Sequence, residues 1–221
     1  MGNGKISAGS FDLNKWLHGG YDCDVITTIY GGPGTGKTNF ALLAAVSQAQ
    51  RGKKVLFIDT EGGFSSDRIK QIVDGKNNKA EVEKVLENII ILKPTSFIEQ
   101  KKAFDQVLKH VKEQISLIVV DGMTMLYRLE FADAREKDFA DIQKVNAELT
   151  KQMRLLAEIS RKNFIPVIVT NQVYNWENER RMVGGDILKY WSKCLIEMEN
   201  DSGKRTAFLK KHRSLPEKSM D

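Results

Sequence analysis

Several things are scarce in this sequence, and each scarcity narrows what the chain can be. Two cysteines in 221 residues, Cys23 and Cys194, lie far apart. They make neither a disulfide framework nor a metal-ligand spacing, and both read as small core hydrophobes. Four prolines leave no proline-rich linker between domains, and no repeat or low-complexity segment interrupts the chain. Unbroken aliphatic runs stop at strand length, the longest being Ile89-Ile90-Ile91-Leu92 and Leu117-Ile118-Val119-Val120. A spanning helix needs about 20 apolar residues, so no membrane protein is expected. The first residues lack the apolar stretch of a secretory signal, which makes the cytoplasm the expected compartment. Charge of one sign is scarce too: 34 Lys+Arg against 29 Asp+Glu leave a formal +5. That excess permits a polyanionic partner without demanding one.

What is present is an alternation of apolar bursts and amphipathic stretches, the pattern of βαβ units on a parallel sheet. Strands are expected near Val25–Tyr30, Val55–Asp59, Ile89–Leu92, Leu117–Asp121 and Pro166–Thr170. One helix should run from about Lys37 to Gln50, ended by Gly52, and another should carry Phe97, Phe104, Val107, Leu108 and Val111. The longest is expected from about Glu136 to Lys162, where Phe139, Ile142, Leu149, Met153, Leu156 and Ile159 recur at helical spacing. That stripe reads as sheet packing rather than a coiled-coil seam. Near the end, Cys194–Met198 and Thr206–Lys210 flank Asn200-Asp201-Ser202-Gly203, a hairpin signal. The expected fold is therefore α/β. A mostly parallel central sheet of five strands is flanked by helices and extended by a C-terminal antiparallel hairpin, with residues 1–221 forming a single domain.

The chemistry is announced by Gly31-Gly32-Pro33-Gly34-Thr35-Gly36-Lys37-Thr38, which satisfies G-x-x-x-x-G-K-[ST] and sits between a strand and a helix. Glycines let backbone N–H groups wrap a β-phosphate, and the helix N-terminus adds partial positive charge. Lys37 reaches the β/γ oxygens, and the Thr38 hydroxyl takes Mg²⁺. The expected cofactors are thus ATP and Mg²⁺. Asp121 closes the Leu117–Val120 run; a carboxylate beside four aliphatics is costly unless a cation compensates it, and Mg²⁺ at a strand's carboxyl end would do so. Asp59 and Glu61 follow another strand. By residue logic alone Glu61 is either a water-orienting group or a solvated loop charge.

On these residues the chain resembles the RecA/RadA recombinase superfamily, most closely its archaeal RadB branch, and the likeness covers nearly the whole length. It begins at Ile6-Ser7-Ala8-Gly9-Ser10-Phe11-Asp12-Leu13-Asn14-Lys15-Trp16-Leu17-His18-Gly19-Gly20, similar to the family's I-S-T-G-x-x-x-L-D-x-L-L-G-G-G, with departures at Ala8, Asn14, Trp16 and His18. The resemblance implies a RecA-like phosphate-loop ATPase core. It makes Glu61 the water-orienting base and Arg68 the arginine that packs on the adenine, with Asn39 following the loop at the nucleotide. Thr170-Asn171-Gln172-Val173 is similar to the family's T-N-Q-V strand end, which makes Gln172 the residue that senses the γ-phosphate.

The same resemblance turns two segments toward DNA, single-stranded above all. They are Met125–Arg135, treated as a loop and carrying Arg128, and Tyr174–Asp186, carrying Trp176, Arg180 and Arg181. Rings beside guanidiniums suit base stacking and phosphate contact; the alternative is two ordinary loops. The run Lys210-Lys211-His212-Arg213 has three open readings. It resembles the trans-acting Lys-x-Arg of KaiC-like ATPases, it suits phosphate-backbone binding, and it is compatible with a solvated charge run. Because the likeness begins at residue 6, no N-terminal helical DNA-binding domain and no long self-assembled filament are expected. The implied function is an ATP-binding, weakly hydrolysing protein of DNA repair and homologous recombination that binds DNA and assists a main recombinase of the RadA type, with a homodimer as a further expectation. The competing readings are a KaiC-like oligomeric ATPase and an ATP-switched protein-binding adaptor.

Overall fold

The computed structural model describes residues 4–73, 79–136, 138–177 and 179–221, without the side chains of Asn175, Trp176 and Glu179. Its elements begin with β1 (Lys5–Ile6), α1 (Phe11–Trp16), β2 (Tyr21–Asp22), β3 (Ile26–Gly31), α2 (Lys37–Gln50), β4 (Lys54–Asp59), α3 (Ser66–Val73), α4 (Lys79–Glu87) and β5 (Ile89–Leu92). They continue with α5 (Phe97–Val111), β6 (Ile115–Asp121), α6 (Met125–Arg135), α7 (Phe139–Asn163), β7 (Val167–Trp176), β8 (Glu179–Met182) and α8 (Gly185–Trp191). The chain closes with β9 (Cys194–Asp201), β10 (Lys204–Lys211) and β11 (Lys218–Met220).

The main sheet has the order β11-β10-β9-β3-β7-β6-β4-β5. From β9 to β5 its neighbours pair in parallel, while β10 and β11 add antiparallel strands at one edge. The parallel set is larger by one strand than the sequence suggests. β9, the first arm of the expected hairpin, pairs parallel with β3 from Thr27↔Cys194 to Gly31↔Met198, because Cys194, Leu195, Ile196 and Met198 are apolar enough to be buried beside it. β1 and β2 form a small separate ladder near the start of the chain.

The central strands bury both faces, and their side chains sort by the twofold alternation of a strand. Val55, Phe57, Leu117, Val119 and Ile168 join the layer under α1, α2 and α4. Leu56, Ile58, Ile118, Val120, Val167 and Val169 join the layer under α5, α6, α7 and α8. α2 approaches the sheet closely because Ala41, Ala44, Ala45 and Ala49 present small side chains there. α7 lays Leu149, Met153, Leu156 and Ile159 on the other face, as sheet packing requires. It starts three residues later than expected, after Asp138, whose carboxylate accepts from Asp141 N–H at 2.8 Å and caps the helix. Phe139 is consequently exposed rather than part of the stripe. Cys23 and Cys194 are free and buried.

In their described residues the two segments expected as loops carry regular secondary structure. Met125–Arg135 is the helix α6, since its residues are good helix formers and Leu126, Tyr127 and Ala134 are buried beneath it. β7 runs on past Thr170 to Trp176 and folds back as β8, pairing from Val173↔Met182 to Trp176↔Glu179. The buried Met182 and Val183 anchor that ribbon to the core. Among the described residues no helix is long and apolar enough to cross a membrane.

Candidate nucleotide site

The carboxyl ends of β3, β4, β6 and β7 bring the site together. Register places Gly31 beside Gln172 and Asp59 beside Asp121. The loop after β3 turns on Gly34 at φ +72° and Gly36 at φ +102°, left-handed conformations that glycine adopts without strain. Gly36 is also the N-cap of α2, so the helix's unpaired N–H groups open directly onto the loop.

Lys37 is buried and folds back onto the loop, its Nζ donating to Gly31 O at 3.1 Å and Gly32 O at 2.7 Å. Burial holds its pKa below the ordinary lysine value, partly offset by the carboxylates of Glu61 and Asp121. A third contact, 3.4 Å to Gln172 Oε1, joins it to β7. The amide of Gln172 in turn donates to Glu61, with Nε2 at 3.2 and 3.3 Å from the two carboxylate oxygens. Lys37, Gln172 and Glu61 thus form one polar chain across the site.

Asp121 lies behind that chain, fully buried. It accepts from Thr38 Oγ1 at 2.9 and 3.1 Å and from Thr170 Oγ1 at 2.6 Å. Desolvation pushes its carboxyl up to about 6, against the lowering effect of those two hydroxyls. An acid in this state suits a divalent cation, which would favour its charged form. Asp59 does different work: its two oxygens accept from Gly63 N–H and Phe64 N–H, each at 3.1 Å, and so shape the turn that carries Glu61. Thr60 pins the same turn to the end of β6, its hydroxyl lying 3.0 Å from Asp121 O and 2.7 Å from Gly122 O, both acceptors. Arg68 on α3 is half-buried, with Nε donating to Asn39 Oδ1 at 2.9 Å and Nη1 to Gln71 Oε1 at 2.7 Å.

Sequence reasoning passed over Thr170, Thr60, Thr124 and Asn171. Thr124 donates to Asn171 Oδ1, and Asn171 Nδ2 donates to Val183 O at 2.8 Å, so the residue before Gln172 ties the start of α6 to the end of β8. The Thr170-Asn171-Gln172 string was a signal for this, since two small polar residues precede the glutamine at a buried strand end.

The DNA candidates divide. Arg128 is exposed and lines a cavity of about 700 Å³ with Tyr127, Phe131, Arg135 and Tyr174, between α6 and the β7–β8 ribbon. Arg180 is engaged in an ion pair with Glu199 at 2.7 Å. Arg181 is exposed opposite Tyr174, and the side chain of Trp176 lies outside the described residues. Lys210 is exposed. Lys211 instead donates to Lys189 O at 3.0 Å and Ser192 O at 2.9 Å, and Arg213 pairs with Asp22 at 3.2 Å and Asp24 at 2.8 Å. Since Lys211 pairs with Leu195, one residue past the Cys194↔Thr27 register, both cations belong to the amino edge of the parallel strands, across the sheet from the phosphate loop.

A glycine loop between a parallel strand and a helix, with a strand-end aspartate behind its threonine, defines a RecA-like phosphate-loop protein. The chain matches the Rad51 family over residues 4–220. It is 40% identical to the "DNA repair and recombination protein RadB" of Methanobrevibacter smithii, covering 97% of this chain and 90% of the relative. The proteins of that name from Methanocaldococcus jannaschii and Methanococcus maripaludis strain C7 are 41% and 40% identical, covering 90% and 93% of this chain and 90% of each relative. The chain belongs to the Rad51 family, in its archaeal RadB-like branch.

Proposed function

We propose that this protein serves DNA repair and homologous recombination by binding ATP with Mg²⁺, hydrolysing it slowly, and binding DNA in support of a main recombinase of the RadA type. The observation that carries the reading is the Lys37–Gln172–Glu61 chain. A γ-phosphate drawn to Lys37 would compete for the contact that Gln172 makes, and Glu61 stands at the other end of that amide to orient water. Thr38 and Asp121 are the residues that would hold Mg²⁺, whose chemistry is to neutralise phosphate charge. The RadB relatives, named as DNA repair and recombination proteins, support the biological setting.

On this reading DNA lies along α6 and the β7–β8 ribbon, where Tyr127, Phe131 and Tyr174 offer rings beside Arg128 and Arg135. Asn171, bonded to both elements, is the natural relay from Gln172. The protein works in the cytoplasm, and its partners are single-stranded DNA, the recombinase and a second copy of itself. A trans-acting Lys211 and Arg213 fit less well, because both are engaged within their own chain.

The test is ATP turnover and DNA binding by the full chain, with Lys37→Ala and Glu61→Gln. Lys37→Ala is expected to abolish ATP binding, and Glu61→Gln to keep binding while losing hydrolysis. Unchanged turnover in both variants would refute the assignment.

A further inference from the structure

A second cavity, of about 280 Å³, adjoins the phosphate loop between α2, α3 and the β9–β11 edge. It falls below the roughly 300–1,000 Å³ of a complete small-molecule site, so it suits part of a ligand. One wall carries Gly36, Asn39, Phe40 and Arg68; the other carries Arg205 and Asp221.

The loop chemistry says which part. Lys37 and Thr38 take the β- and γ-phosphate end, so the α-phosphate, sugar and base must leave along the next residues of α2, where Asn39 and Phe40 open this cavity. Arg68 is locked there by its bonds to Asn39 and Gln71. Arg205 enters from β10, its Cδ lying 3.9 Å from the position a Cβ on Gly36 would take. The carboxylate at the rim, Asp221, is already matched by Lys204 Nζ at 2.8 Å and Thr206 Oγ1 at 3.0 Å. Among the described residues Arg205 has no ion-pair partner. Two planar cations therefore line one small cavity beside a phosphate loop, with no acid left over to neutralise them. Guanidinium planes stack on π faces, and a nucleobase is the π face that a nucleotide would bring here.

We propose that Arg205 completes the base-and-sugar pocket in cis, stacking on the base from the β10 wall while Arg68 holds it from α3. This rests on the nucleotide-binding reading above and extends it: one copy of the chain supplies both walls, so base recognition needs no neighbouring subunit.

Calorimetric titration of the full chain with Mg·ATP and, separately, with inorganic tripolyphosphate tests this. Arg205→Ala should weaken ATP binding about tenfold, within the range of a desolvated cation–π contact, and leave tripolyphosphate affinity within about twofold. Thermal unfolding of Arg205→Ala, expected to match the wild type because Arg205 is exposed, controls for damage to the hairpin. ATP binding that is strong in the wild type and equal in Arg205→Ala would overturn the proposal. So would an equal loss for ATP and tripolyphosphate, which would move Arg205 onto the phosphates. A wild type that binds neither ligand would instead refute the nucleotide site itself.

Discussion

The hydroxyl of Thr170 donates to Asp121 Oδ1 over 2.6 Å, from the strand beside the one that Asp121 ends. The Thr170 hydroxyl oxygen also accepts Gly122 N–H at 2.8 Å, so one hydroxyl serves a buried acid and a buried amide. Thr170→Val keeps the shape and removes both bonds. A buried group left unsatisfied costs about 1–3 kcal/mol; Gly122 N–H becomes one, and Asp121 loses one of its two hydroxyl donors and keeps only Thr38. The variant should lose about 2–4 kcal/mol in urea denaturation, and Mg²⁺-dependent ATP binding should weaken with it. Thr170→Ser should recover most of the loss. A variant as stable as the wild type would show that Asp121 is held by Thr38 alone.

Gly122→Ala separates binding from hydrolysis. Gly122 sits at φ +85°, and a Cβ there would meet the Thr60 hydroxyl and come within 2.6 Å of Glu61 Cγ. Left-handed backbone at a residue with a side chain costs roughly 1–2 kcal/mol, and the Glu61 turn must move. ATP affinity should stay within a few-fold while hydrolysis falls by about an order of magnitude, that is ~1.4 kcal/mol in the barrier. Turnover kinetics beside equilibrium binding measure both quantities. Equal losses in the two would mean that the turn also shapes the phosphate loop.

Much of this site was legible because its parts are local in sequence. Gly31 to Thr38 follow one another, and Asp121 announces itself as a lone acid on an aliphatic strand. The helix α2 was readable to its ends because Lys37 begins it and Gly52 follows it. Relationships that depend on register were not legible. Thr170 reaches Asp121, and Gln172 reaches Lys37, only because β7 lies between β3 and β6. The strand β9 is the hairpin arm that its sequence suggests, paired with β10; its second, parallel pairing with β3 is not legible, because nothing local says which strand lies on its other side. The family resemblance suggests a loop where α6 lies, although its residues are good helix formers, and α1, α3, α4 and β11 are too short for their periodicity to stand out.

Arg180 offers a clean separation between stability and DNA contact. Its pair with Glu199 is exposed at both ends, and such pairs contribute about 0–1 kcal/mol. Arg180→Ala should therefore leave the urea midpoint almost unchanged. Glu199→Gln releases the guanidinium without deleting it. If Arg180 reaches DNA phosphates, Arg180→Ala should lower affinity and reduce the salt slope by about one, while Glu199→Gln should raise affinity. Filter binding across a salt series reads both. Identical slopes in all three proteins would confine Arg180 to its ion pair.

The tail carries a pH dependence whose sign is set by burial. The His212 imidazole is 3% exposed, with Nε2 at 3.3 Å from Asp22 Oδ2; Arg213 Nε lies 3.2 Å from that same oxygen and Lys5 Nζ 3.0 Å from Oδ1. Desolvation lowers the His212 pKa below its usual 6.5, the cations Lys5, Arg213 and Lys218 add to that, and Asp22 opposes it. A histidine whose folded pKa is depressed contributes stability that is complete above the unfolded pKa and is lost as pH falls through and below it. Urea midpoints should therefore decline as pH drops below 6.5, more steeply in the wild type than in His212→Gln, which cannot take up the proton. Charging His212 adds a third cation around the Asp22 carboxylate, so the β1–β2 ladder and the segment leading to β11 should loosen first. Hydrogen exchange at Lys5–Ile6 and Lys218–Met220, compared above and below that pH, would show the order. Parallel pH profiles for wild type and His212→Gln would instead mean that Asp22 compensates the charge in full.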